Sequence, residues 1–120
     1  MLLLVWLLVL ALTSLPQDRI LPLLQERAND RTLVMCHSLI RRYLPTERRR
    51  HPQHFDVQAL YTVVVSLNSH GADFEGGLYV STGEGRQTIA LQAGDAIFHD
   101  ARLLHGVETR GPGARWSWIM

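Results

Sequence analysis

Ala59-Leu60-Tyr61-Thr62-Val63-Val64-Val65-Ser66-Leu67 is the stretch that settles the fold class. A valine-rich run of this length, bounded by turn residues, is what a strand covered on both faces looks like. Downstream the same short-strand rhythm continues. Residues 68–73 form a turn, and Gly76-Gly77 precede a strand over 78–81. Gly83-Glu84-Gly85 makes a hairpin tip leading into a strand over 88–91. Ala93-Gly94-Asp95 turns into residues 96–99, and strands over 105–109 and 115–119 are split by Gly111-Pro112-Gly113. Six or seven short strands with regularly spaced turns predict an all-β antiparallel sandwich or jelly roll.

Upstream the pattern is mixed. Apolar positions Ile20, Leu21, Leu23, Leu24 and Ala28 lie on one helical face, with Asp18 near its start and Asn29-Asp30 as its stop. Residues 16–31 therefore read as a helical support, and residues 32–120 as the β core. From Thr32 to Leu44 the chain looks strand-like, interrupted at His37-Ser38, whereas residues 45–53 read as a polar, arginine-rich loop kept extended by Pro52. Residues 1–15 are nearly all apolar, yet shorter than the roughly 20 residues a bilayer span needs. Three readings stand open for them: a signal or anchor, a buried helix, or the start of a piece of a longer protein. A signal or anchor would direct the chain to the endoplasmic reticulum or secretory pathway and is the sole route to a membrane that the sequence offers. Localisation is otherwise not written in it. Met120 falls inside a strand pattern, as it would if a core fragment stopped there or a final edge strand were missing.

The composition narrows the chemistry. The 120 residues are 47% hydrophobic and 19% charged with a net charge of +1, ordinary for one globular domain and without a field that would draw nucleic acid. All twelve basic residues are arginine, which removes lysine Schiff-base mechanisms. Cys36 is alone, so neither an internal disulfide nor a cysteine zinc cluster can form, and it reads as a small buried apolar residue. Arg41, Arg42, Arg48, Arg49 and Arg50 lack interleaved aromatic residues. They read as a solvated loop in preference to a substrate-steering rim, and nucleic acid is not expected as a partner.

Six histidines are present. His54-Phe55-Asp56, with His105 forty-nine residues after the aspartate, supplies two imidazoles and a carboxylate. That is the ligand set of the facial triad that holds non-haem Fe(II) and leaves positions open. In a strand His54 and Asp56 share a face while Phe55 points away. Phe98, Leu103 and Leu104 are expected to keep the approach to His105 dry. His37, His51, His70 and His99 are set aside as ordinary histidines; His51-x-x-His54 could pair on a metal, but Pro52 argues against it. Ten residues past His105, Arg115 and Ser117 share a strand face, and a guanidinium with a hydroxyl suits a carboxylate. Trp116 and Trp118 then face outward.

The blocks Arg42-Tyr43-Leu44-Pro45, His54-Phe55-Asp56, Phe74-Glu75-Gly76-Gly77, residues 93–98, Leu104-His105-Gly106-Val107 and residues 113–117 occur in an order and spacing that resemble the iron- and 2-oxoglutarate-dependent dioxygenases of the prolyl 4-hydroxylase type. The resemblance covers residues 39–120. It implies a double-stranded β-helix with a short N-terminal helical segment, in agreement with the jelly roll read from the strands. It also implies that His54, Asp56 and His105 ligate Fe(II), that Arg115 binds the distal carboxylate of 2-oxoglutarate, and that Tyr43 bonds the same co-substrate, with Ser117 or Thr62 assisting. The implied reaction hydroxylates a C–H bond, first of all of a peptidyl proline, with succinate and CO2 as co-products and ascorbate as an accessory reductant. A small-molecule hydroxylase of the same fold is the alternative, and a truncated metal-binding β-barrel without turnover is the third reading. Two departures stand out: the region before Leu39 is shorter than the family's helical support, and the family's further C-terminal strand is not seen.

Overall fold

The computed structural model describes residues 14–120; the apolar run discussed above lies, up to residue 13, outside the described residues. A π-helical turn, Pro16–Ile20, runs into helix α1, Leu21–Ala28. Pro22 cannot donate into this continuous helical run, and the turn before it is widened to π form, with the Leu21 N–H reaching back to the Pro16 carbonyl. Asn29 ends the helix in the left-handed region at φ 53°, a conformation its short amide tolerates. No helix among the described residues is long and apolar enough to cross a membrane.

Residues Leu39–Ile119 form one compact unit, distinct from the chain before it. It contains eight strands: β1 (Leu39–Tyr43), β2 (Arg50–His54), β3 (Tyr61–Ser66), β4 (Glu75–Thr82), β5 (Gly85–Thr88), β6 (Ala96–Asp100), β7 (His105–Arg110) and β8 (Arg115–Ile119). They make two four-stranded antiparallel sheets, ordered β1-β8-β3-β6 and β2-β7-β4-β5. The architecture is the expected jelly roll, an all-β double-stranded β-helix preceded by a short helical segment. Tyr43, Leu78 and Val107 form its apolar centre, with Ile89, Leu91 and Ile97 packed against them. β3 buries Thr62, Val63 and Val64 in succession, so both of its faces are covered, as its valine run requires.

Four local expectations fail, each for an identifiable reason. Residues 45–53 are not all loop, because Arg50–His54 pairs with β7. Pro52 is tolerated there since β2 is an edge strand with one side free of ladder bonds. Strand structure begins at Leu39 instead of Thr32. The Gln25 side chain donates to the Arg31 and Leu33 carbonyls, and Asp30 accepts from the Thr32 N–H and hydroxyl, which holds this segment in a turn. β5 is Gly85–Thr88, one hairpin step earlier than residues 88–91; the Ile89 N–H still reaches the Leu78 carbonyl, and Ile89 and Leu91 pack against the core. Cys36 is exposed, contrary to the buried reading, because the apolar run around it never joins a sheet.

Candidate metal centre

β2 pairs His51 with Val107 and His54 with His105, so three steps along β2 match two along β7. The extra residue is a β-bulge, and bulges re-aim side chains. Without it His51 and His54 would face opposite sides of the sheet. With it their rings stack, centroids 4.1 Å apart and 17° from parallel, and both line one cavity. The pairing that Pro52 argued against therefore exists, as ring stacking on a bulged edge. Two residues on, Asp56 returns to the side of His54 while Phe55 is exposed, as strand parity demands.

His54, Asp56 and His105 each place one ligand atom so that all lie within 4.8 Å of one another. Nε2 of His54 is 3.2 Å from Asp56 Oδ1, and Nε2 of His105 is 3.5 Å from Oδ2. Each ring is oriented from behind by the backbone. His54 Nδ1 lies 2.8 Å from the Pro52 carbonyl and His105 Nδ1 2.9 Å from the Leu103 carbonyl. A carbonyl only accepts, so Nδ1 carries the proton and Nε2 turns its lone pair inward. Burial lowers the pKa of His105 below its ordinary value, which favours the neutral imidazole a metal requires. Burial pushes Asp56 up, but the Thr62 hydroxyl, 2.6 Å from Oδ2, and the surrounding imidazoles outweigh it and hold the carboxyl below its usual range. Two oriented imidazoles and one ionised carboxylate fit Fe(II).

At the other end of the cavity Arg115 is 2% exposed. Tyr43 lies opposite it on β1, and the guanidinium sits 5.7 Å from the Tyr43 ring centre and 5.9 Å from that of Phe74. Its NH1 donates to the Ser117 hydroxyl at 3.2 Å. Among the described residues no carboxylate forms an ion pair with it. Burial alone works against the charge and lowers its pKa, while burial also raises that of Tyr43. The backbone around Arg115 is clamped by Asn68, whose amide donates to the Ala114 carbonyl and accepts from the Trp116 N–H. Gly77, at φ 105°, lets β4 pass close by: a Cβ there would lie 3.0 Å from the Phe74 ring and 3.5 Å from Arg115 Nε.

The structure thus brings His54, Asp56, His105, Thr62, Tyr43 and Arg115 to one cavity of about 150 Å³. Thr62 stands at the Asp56 end, and Ser117 meets Arg115 from the next inward position. Phe98 does not shield His105: it is 39% exposed, because β6 turns His99 inward in its place. His99, an ordinary histidine by sequence, is buried on β6 directly opposite Thr62 of β3. Its Nδ1 lies 3.0 Å from the Asp100 carbonyl, and its enclosed Nε2 lacks a hydrogen-bond partner, 3.8 Å from Asp56 Oδ2. Arg41, read as part of a solvated loop, lines the same cavity from β1. Strand alternation around Phe98 and around Tyr43 was the signal for both.

No protein-family model matches the chain, and no curated protein matches it. Among solved structures it is similar to an oxidoreductase of the 2OG-Fe(II) oxygenase family from Burkholderia pseudomallei, with a TM-score of 0.72 and 22% identity over 90% of this chain. It spans about half of that protein, 52% of its length. EvdMO1 superposes over 72% of this chain and 26% of its own, with a TM-score of 0.58 and 20% identity. A cupin domain from Bordetella pertussis Tohama I gives 0.52 and 18% over 72% of this chain and 82% of that domain. These likenesses establish the jelly-roll fold shared by oxygenases and cupins.

Proposed function

We propose that the chain is the core of an Fe(II)- and 2-oxoglutarate-dependent oxygenase that hydroxylates a C–H bond. The observation that carries this is one cavity with an oriented His-Asp-His set at one end and a desolvated, carboxylate-free guanidinium at the other. The fold likeness to a 2OG-Fe(II) oxygenase family protein supports it. When bound, iron with 2-oxoglutarate supplies the oxidation: one oxygen of dioxygen ends in succinate as CO2 leaves, and the other enters the substrate as a hydroxyl. His54, Asp56 and His105 hold the metal, and Thr62 keeps Asp56 oriented and ionised. Arg115 grips the distal carboxylate through its planar fork while Ser117 fixes the rotation of that fork. Tyr43 closes the same end, and Leu78 and Val107 keep water from it. A peptidyl proline is the first substrate to test by resemblance, a small molecule the second.

The test is anaerobic titration of the chain with Fe(II) and 2-oxoglutarate, followed by the visible charge-transfer band and, on admitting air, by succinate. His54→Ala and His105→Ala should lose both signals, and Arg115→Ala should raise the 2-oxoglutarate requirement. Full turnover in either histidine variant would remove the iron assignment; metal binding without succinate from any substrate would leave a binding barrel.

A further inference from the structure

Two arginines stand side by side on β1 and meet opposite fates. Arg42 faces outward, pairs with Glu47, and stacks its guanidinium 5.3 Å from the Trp116 ring centre. Arg41 faces inward from the position paired with Ser117, two residues from Tyr43 on the same face. Its Nε is enclosed and meets no acceptor, and no described carboxylate forms an ion pair with it. Tyr43 and His51 both feel its positive charge. The cavity therefore holds a second guanidinium that no described carboxylate offsets.

Charge balance says what is missing. Among the described residues Asp56 is the sole acid lining this cavity, and in the oxygenase reading it serves the metal. A divalent ion beside that carboxylate leaves one positive charge, and Arg115 and Arg41 add one each. A 2-oxoglutarate dianion neutralises two of the three. The surplus falls on Arg41, because Arg115 lies deep and almost fully enclosed whereas Arg41 retains partial exposure. β1 and β2 are the terminal strands of their sheets, and the cavity lies between them, with Arg41 on one and His51 on the other. Arg41 on β1 and His51 and His54 on β2 thus line the cavity from facing edge strands, and Arg41 is the cation on the β1 side. An enclosed guanidinium edge without an acceptor calls for an anion, and its fork matches a carboxylate best.

We propose that Arg41 anchors a carboxylate on the molecule being oxidised, separate from the co-substrate carboxylate held by Arg115. This rests on the oxygenase reading and narrows its substrate class: the target carries a free carboxylate, or an acidic group next to the oxidised carbon. A peptidyl proline in a neutral context does not meet that requirement.

The experiment uses the full chain saturated with Mn(II), which blocks turnover, and with 2-oxoglutarate. Matched carboxylate and amide pairs built on N-acetyl-proline, -leucine and -glycine are titrated in calorimetrically. The carboxylate member should bind about tenfold tighter or more, the usual weight of a charge-assisted contact. Arg41→Gln should bring that ratio to near one while weakening 2-oxoglutarate far less than Arg115→Gln does. Arg41→Lys, which keeps the charge, should retain part of the preference and shows that the site still folds. The proposal is overturned if no carboxylate in the set binds, if wild type shows no preference, if Arg41→Gln keeps it, or if Arg41→Gln weakens 2-oxoglutarate as much as Arg115→Gln. Titrating 2-oxoglutarate alone into the Mn(II)-loaded protein separates the two readings: failure there removes the oxygenase assignment, whereas success with a flat carboxylate-to-amide ratio removes only Arg41.

Discussion

The two ends of the cavity bury polar groups by opposite means. At the His54–Asp56–His105 end every group is held from behind, the imidazoles by the Pro52 and Leu103 carbonyls and the carboxylate by the Thr62 hydroxyl. Lone pairs converge on a common point, which is a receptor for a cation. At the Arg115 end a single hydrogen bond to Ser117 and two aromatic rings surround a charge that no carboxylate offsets. That end waits for an anion. The contrast teaches that a β-sandwich can keep unfavourable burial in place when the strands around it are stapled elsewhere, as Asn68 does for β8.

The largest expected effect is at the cation end. His105→Ala should weaken Co(II) binding by on the order of 100-fold or more, above what orienting partners contribute. Native affinity in an optical titration of that variant would break the contrast outright. Next comes Arg115→Met. Its 2-oxoglutarate affinity should fall by about 2–5 kcal/mol, the usual cost of truncating one partner of a buried charged contact. The ligand-free variant should unfold at equal or higher denaturant than wild type, because an uncompensated buried charge has been removed. A destabilised variant would mean that Arg115 holds the fold and not a ligand. Thr62→Val should be milder, about tenfold in metal affinity, with the Asp56 carboxyl moved up as seen by NMR titration.

The smallest effect is the pH response of the metal-free chain. Burial lowers His105 and His51 in the folded state from their ordinary 6.5, so the unfolded chain takes up protons first on acidification. Stability should be full above pH 6.5 and fall as pH drops from there toward the depressed folded values. Thermal melts in chelator between pH 7.5 and 5 check the sign, and His51→Asn should flatten the slope. A midpoint that rises on acidification would contradict the burial of these rings.

How much of this was legible follows from what each residue depends on. His54, Asp56, His105 and Arg115 could be picked out because their spacing is a property of the chain, and parity within a strand puts His54 and Asp56 together. The valine run around Val64 and the glycine turns likewise announced the jelly roll. His99 and Arg41 were passed over because their importance arises from register: His99 matters only once β6 lies beside β3, and Arg41 only once β1 faces Ser117. The His51–His54 stack needed a bulge, which no count of residues reveals. Cys36 defeats the expectation because an apolar run buries its residues only where a sheet accepts it, and here none does.

β2 has one neighbour, β7, and its ladder is broken by that bulge. An ion shared by His54, Asp56 and His105 would tie this loosely paired edge to the strand beside it, and every bound ion adds to the work of peeling it away. Without an ion, β2 is held only by that bulged ladder, and it should be cut more readily by a protease than in the metal-loaded chain. Occupancy of that site would then set how readily this edge of the sheet opens.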